Sequence, residues 1–159
     1  YGGFSTDLSY KGITLNAVFN YSYGAKKLSP YYESLITSRG TGVASVDLVD
    51  RWSPENTDAK FPRPIYNDPT DTETMYYNTF SASQMDFSVQ NASYLRLSTL
   101  SLAYTFPKTI VEKMKIGNLR VYSTISNVFC WTSYKGYDPE TGDWYPPTRM
   151  FVFGLSVSL

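Results

Sequence analysis

The chain has 159 residues, enough for one ordinary domain. Its 14 basic and 14 acidic residues cancel, which argues against a nucleic-acid surface, since phosphate contacts need a basic patch. With no histidine, His-based catalysis and His-ligated metal sites are excluded, and the single cysteine, Cys130, excludes an internal disulfide framework.

The opening residues Tyr1-Gly2-Gly3-Phe4 carry neither a basic n-region nor an apolar h-region, so they do not read as a signal peptide. If the protein is exported, its true N-terminus is expected to lie elsewhere. Residues 4–10 alternate, with Phe4, Thr6, Leu8 and Tyr10 against Ser5, Asp7 and Ser9, and predict a strand. Lys11-Gly12 predicts a tight hairpin turn, with Gly supplying positive φ. Residues 13–23 predict a second strand. Its face of Ile13, Leu15, Ala17, Phe19, Tyr21 and Tyr23 carries no charge and ends in two aromatics, as an interfacial girdle would.

From 24 to 91 period-2 patterning disappears, and Pro, Asp, Glu, Asn and Thr accumulate. Ser29 as N-cap and Pro30 at the first helical position predict a helix that stops near Gly40. A second short helix is predicted through residues 46–52, ended by Pro54. Pro62, Pro64 and Pro69 keep the rest irregular. A connection of this length is normally a binding loop or a lid.

Residues 94–106 predict a third strand. Leu100, Leu102, Tyr104 and Phe106 share one parity, and Leu95 and Leu97 the other. Either the upper half faces a packed interior or a bulge lies near Ser98. Residues 108–115 predict one or two helical turns stopped at Gly117-Asn118. The facing of the fourth strand, 119–131, stays open: Leu119, Val121, Ile125, Phe129 and Trp131 compete with Tyr122, Val128 and Cys130. A loop follows over 132–148. The terminal strand, 149–159, sets Phe151, Phe153, Leu155, Val157 and Leu159 against Met150, Val152, Gly154, Ser156 and Ser158. A continuous apolar face beside a small or polar one is what a lipid-facing barrel strand requires, although a soluble sandwich strand can look the same.

No run approaches the ~20 apolar residues of a membrane-spanning helix. Mean hydropathy is −0.29, but alternating barrel strands average out in such a value. Connections run short, long, short, long, as in barrels with short periplasmic turns and long outer loops. Aromatics make up 17% of the chain, with 15 Tyr, a bias seen where one end of a ring is apolar and the other wet.

Several segments taken together resemble the SusC/RagA-type TonB-linked outer-membrane proteins of Bacteroidetes. They are Asp50-Arg51-Trp52-Ser53-Pro54-Glu55-Asn56-Thr57-Asp58-Ala59-Lys60-Phe61-Pro62-Arg63, the run from Ala92 through Tyr94-Leu95-Arg96-Leu97 to Pro107, Leu119-Arg120-Val121-Tyr122, Ser126-Asn127-Val128-Phe129, and Tyr134-Lys135-Gly136-Tyr137-Asp138-Pro139-Glu140. The resemblance spans nearly the whole chain, in order and spacing. It implies an all-β fold: an antiparallel transmembrane β-barrel segment, about five strands of a barrel of roughly 22, with long extracellular loops containing short helices. The chain then reads as a C-terminal piece, divided into a hairpin (1–23), a long extracellular loop (24–92), a strand-turn-strand unit (93–131), a second extracellular loop (132–148) and the terminal strand (149–159). Such barrels usually end in an aromatic, and this sequence ends in Leu159.

The implied function is TonB-dependent import of a bulky nutrient, a glycan or oligopeptide, across the outer membrane of a Gram-negative bacterium, without covalent chemistry and without cofactor or metal. Implied partners are a SusD-like surface lipoprotein, the rest of the barrel and its plug, TonB through an N-terminal part not in this chain, the ligand, and outer-membrane lipid. Expected lipid-facing residues are Phe19, Tyr21, Leu100, Leu102, Tyr104, Phe151, Phe153, Leu155 and Val157. Candidate ligand- or partner-contacting residues in the loops are Trp52, Tyr66, Tyr76, Tyr77, Tyr134, Tyr137, Trp144 and Tyr145, which equally suit packing of the loops together. Within the Arg51–Arg63 motif scaffolding is the favoured role. Two acidic clusters, Asp68/Asp71/Glu73 and Asp138/Glu140/Asp143, lack EF-hand spacing and read as solvated loop, and Cys130 reads as a small wall residue. The alternative is a soluble carbohydrate-binding β-domain in which the aromatics form a platform.

Overall fold

Residues 1–36, 43–61, 86–142 and 145–158 are described by the computed structural model. Among these described residues seven strands form: β1 (Gly2–Tyr10), β2 (Ile13–Ser22), β3 (Lys26–Leu28), β4 (Val89–Asn91), β5 (Tyr94–Thr105), β6 (Asn118–Thr132) and β7 (Met150–Ser158). Five of them make one antiparallel sheet in the order β1-β2-β5-β6-β7, and β3 and β4 pair in a sheet of their own. Two compact units result. One holds Tyr1–Tyr23, Ser93–Thr132 and Pro147–Leu159, the five-stranded sheet, and the other holds Gly24–Ala92 and Ser133–Pro146, the two long connections.

In the sheet unit, Lys11 (φ 47°) and Gly12 (φ 87°) both occupy left-handed conformations at the β1–β2 turn. Two successive positive φ values define the turn whose twist matches a hairpin. Thr105 N donates to Gly12 O at 2.8 Å, and a Cβ on Gly12 would lie 2.6 Å from Thr105 O. Gly12→Ala is therefore expected to cost about 1–3 kcal/mol from strain and the backbone clash, read as a lowered urea midpoint of the intact protein in detergent.

The parity conflict in the third strand resolves as a bulge. Val18 pairs with Thr99 and Phe19 with Leu97, so Ser98 is the extra residue of β5. One inserted residue exchanges the two faces. Leu95 and Leu97 thereby join Leu100, Leu102 and Tyr104 on one side. Pairing also settles the facing of β6, because Val121 stands opposite Tyr104 and Leu155, and Ser123 opposite Leu102 and Phe153. Phe129 and Trp131 stand opposite Leu97 and Leu95 on that same face, and their rings meet edge-on at 4.7 Å.

The other face is small and polar. Asn16 donates to Asp7 at 2.8 Å, and the hydroxyls of Ser101 and Thr124 lie 2.9 Å apart. Tyr122 stands opposite Gly154. A Cβ at 154 would fall inside its ring, so the glycine gives that ring a place to lie.

Between β5 and β6, helix α2 (Lys108–Val111) runs into a 3-10 turn, Glu112–Met114. That turn ends at Lys115, whose φ of 57° supplies the left-handed cap expected later at Gly117. Gly117 N instead donates to Ser158 O at 2.7 Å, tying the connection to the end of β7.

In the loop unit, α1 (Pro30–Ile36) starts as its sequence predicts, with Ser29 Oγ accepting from Tyr32 N at 3.1 Å and Ser29 O from Glu33 N at 2.8 Å. The expected stop near Gly40 lies outside the described residues. The second helix is a 3-10 turn, Val46–Asp50, shorter than expected, because Arg51 leaves it to bridge Phe61. Tyr32, Ile36, Leu48 and Phe61 form the unit's buried apolar cluster.

Candidate functional site

The apolar face of the sheet is built row by row. The row Ile13, Tyr104, Val121 and Leu155 is followed by Leu15, Leu102, Ser123 and Phe153, then Ala17, Leu100, Ile125 and Phe151. Past the bulge come Phe19, Leu97 and Phe129, then Tyr21, Leu95 and Trp131. Phe4 extends the Phe19 row and stacks on Phe19 at 4.7 Å. Every residue expected to face lipid lies on this one face: Phe19, Tyr21, Leu100, Leu102, Tyr104, Phe151, Phe153, Leu155 and Val157. Residue-by-residue alternation set Leu95 and Leu97 on the other parity and left the facing of Phe129 and Trp131 open, since their place depends on the bulge and on pairing.

None of these rows carries a charge, and many of the large side chains on them stand open, Leu102, Phe151, Leu155 and Phe153 among them, with Phe153 at 78%. A soluble domain rarely leaves so extensive an apolar patch uncovered. Tyr21, Phe129 and Trp131 mark the end of the face from which the long connections leave, and Tyr10 and Tyr104 mark the turn end. Between them β2 spans 10 residues, the length of a tilted membrane-crossing strand. No helix among the described residues is long and apolar enough to cross a membrane.

The loop unit is organised around Asp47, a residue that sequence reading did not single out. One carboxylate oxygen of Asp47 accepts from Tyr32 Oη at 2.6 Å, Ser45 Oγ at 3.1 Å and Lys135 Nζ at 2.5 Å. Asp47 thus joins the two long connections, since Lys135 belongs to the second. Lys135 and Tyr32 hydrogen bonds hold the carboxyl at about 2, below the ordinary 3.8. Burial, then the bond and charge of Asp47, push the Tyr32 phenol above its ordinary range, so it stays a donor. The signal in the sequence was local: Ser45 two residues before Asp47 makes an N-cap, with Asp47 N donating to Ser45 Oγ at 3.2 Å.

Further bonds tie the same two connections. Tyr134 Oη donates to Leu28 O at 3.2 Å, Lys135 N to Gln90 Oε1 at 2.9 Å, and Lys27 Nζ to Glu140 O. Tyr137 packs on Tyr31 at 4.6 Å. Asp138, expected in a solvated loop, is buried instead, and its Oδ1 accepts from Glu140 N and Thr141 N at 2.9 and 3.0 Å. A short side chain capping its own turn explains the burial.

The candidate loop aromatics separate accordingly. Tyr134 is 7% exposed and serves packing, whereas Tyr137 and Tyr145 are exposed and Trp52 is 40% exposed. Trp52 is held by its own backbone, its N donating to Phe61 O at 2.8 Å, while Asn56 Nδ2 bonds Asp50 Oδ1 at 3.1 Å and closes the motif on itself. Tyr66, Tyr76, Tyr77 and Trp144 lie outside the described residues, as do Asp68, Asp71, Glu73, Asp143, Leu159 and the Pro62-Arg63 end of the motif. Among the described residues no three His, Cys, Asp or Glu side chains come together as a metal site. Cys130 is half-buried, on the polar face opposite Arg96.

These features define a class: an antiparallel strip of transmembrane-type barrel wall, apolar on one side, whose long connections fold into a separate unit. No protein-family model matches the chain. It is 30% identical over 98% of its length to TonB-dependent receptor P3 of Formosa agariphila and 26% identical over the same share to receptor P26 of that bacterium. It is 39% identical over 45% of its length to the TonB-dependent receptor SusC of Bacteroides thetaiotaomicron. Among solved structures it superimposes on one titled as the RagAB peptide importer in an open-open state, with a TM-score of 0.71 and 30% identity over 99% of this chain and 17% of that one. The chain belongs to the TonB-dependent receptors of the SusC/RagA type, outer-membrane proteins of Gram-negative Bacteroidetes. It spans 16% of the length of receptors P3 and P26.

Proposed function

We propose that this chain supplies barrel wall and lid-facing loops to an outer-membrane transporter that imports a bulky nutrient, a glycan or oligopeptide, driven by TonB and working with a SusD-like surface lipoprotein. The uncharged face running across all five long strands carries this reading, because only lipid or another apolar surface can cover it. The five strands leave β1 and β7 as open edges. Open edges are not tolerated in lipid, so the rest of the barrel completes the wall. The two short connections lie together at one end of the sheet, as periplasmic turns would, which supports a reading with the long connections outside.

The loops offer shape rather than chemistry. Asp47, Lys135, Tyr134 and Leu28 hold the two connections together, leaving Trp52, Tyr137 and Tyr145 exposed for a lid or a ligand. Large aromatics suit such contacts because they bury much area with few rotors. Removal of residues 24–91 from the intact transporter tests the lid reading. Loss of the co-purifying lipoprotein, with the barrel still assembled, is expected, and undiminished co-purification contradicts it.

A further inference from the structure

The apolar face is interrupted by a hollow. Ser123 stands in a row between Leu102 and Phe153, where each of the other four strands brings a large apolar side chain. Around it Ile13, Leu102, Tyr104, Val121 and Phe153, with others, line an open hollow of about 450 Å³. That is the size of a small-molecule site, and its walls are nearly all hydrocarbon and aromatic ring.

A second observation lies at the same end of the sheet. Ile13 follows the turn that carries Lys11, and Tyr104 leads into the connection that carries Lys108, Lys113 and Lys115. These four lysines are exposed, against one carboxylate, Glu112, on the same connections among the described residues. The zero net charge of the whole chain conceals a division. The sheet unit has seven basic residues to two acidic ones, and the loop unit seven to twelve.

We propose that the hollow over Ser123 and the lysines beside it form a binding site for one anionic phospholipid, with an acyl chain in the hollow and the phosphate among Lys11, Lys108, Lys113 and Lys115. The hydrocarbon lining excludes a polar ligand, and the lysines select negative charge at the end where a headgroup must lie. A neutral lipid would fill the hollow but leave the cations unmatched. The site rests on the reading of the apolar face as lipid-facing, and it would localise anionic lipid at the short-turn rim of the wall.

The test uses the intact transporter, purified in detergent and titrated with phosphatidylglycerol or phosphatidylcholine, with bound lipid counted by native mass spectrometry. Phosphatidylglycerol is expected to bind preferentially. Each lysine changed to glutamine should weaken it by about fivefold, the equivalent of about 1 kcal/mol per surface charge. Ser123→Phe, which fills the hollow with an apolar group, should abolish the tightest-bound lipid. Thr6→Phe, on the same face away from the hollow, should leave it unchanged. Equal binding of the two lipids, or undiminished phosphatidylglycerol on Ser123→Phe, overturns the proposal. Heat-modifiable gel mobility, scored on every variant, separates this outcome from failure of the barrel reading: an assembled barrel without lipid preference refutes only the lipid site.

Discussion

Phe153→Arg in the intact receptor is expected to cost about 2–4 kcal/mol of barrel stability, the range for a cation on the lipid face near mid-membrane. Phe153 is the most exposed of the large apolar side chains of β7, and its neighbours in the row are Ser123 and Leu102. No carboxylate lies on that face to pair with the guanidinium, and side-chain reach toward either rim is limited at the centre of a nine-residue strand. The matched change on the opposite face, Val152→Arg, should be much milder, since Val152 stands opposite Thr124, with Ser101 and Asn16 beyond it in the same polar row. Urea unfolding of folded protein in lipid vesicles measures both. Similar costs for the two substitutions would contradict the assignment of faces.

The second large effect concerns Asp47. Its removal leaves Tyr32 Oη and Lys135 Nζ without their shared acceptor. A hydrogen bond to a charged group contributes about 1.5–3 kcal/mol. The Lys135 pair adds less, because the lysine is 50% exposed and water screens it. Asp47→Ala is therefore expected to destabilise the loop unit by about 2–3 kcal/mol. Asp47→Asn keeps an acceptor for Tyr32 and should cost roughly half as much. Hydrogen exchange over 30–36 and 133–138 reads the effect, with opening increased about 30-fold or more in Asp47→Ala.

The same group sets a pH dependence. The Asp47 carboxyl is held at about 2, below its ordinary 3.8, so its contribution is complete above 3.8 and is lost as pH falls toward 2. Pepsin cleavage of the loop unit should accelerate across that window in the parent protein. In Asp47→Asn the acceleration should be smaller, and an identical profile would show that another carboxylate controls the loops.

Much of the sheet was legible because alternation is a local property. Residues 4–23 and 150–158 show their two faces without reference to any partner. The bulge was legible only as an alternative, since a parity change at Ser98 fits an inserted residue and a switch of environment equally well. Strand β6 could not be read alone. Ser123 interrupts its apolar face, while Tyr122 and Val128 make the other face look apolar, and only pairing with β5 and β7 decides between them.

The loop unit was less legible for a different reason. β3 and β4 have three residues each, too few for a period to show. The Asp47 cluster joins residues 88 positions apart, and nothing local in the sequence announces Lys135 as its partner. Tyr134 and Tyr137 are three residues apart with the same composition around them, yet one is buried and the other exposed. Tertiary contact, not residue type, separates packing aromatics from those open to a partner.

The central claim is that one face of this sheet meets lipid. Spin labels placed singly at residues 151–153 and 155–157 of β7, in the intact receptor with Cys130 replaced by serine and reconstituted in bilayers, test it most directly. Labels at Phe151, Phe153, Leu155 and Val157 are predicted to collide with oxygen, which concentrates in the bilayer, and those at Val152 and Ser156 with a water-soluble nickel complex. A period of two with that phase supports the account. Water exposure at the odd-numbered positions, or no alternation at all, would contradict it.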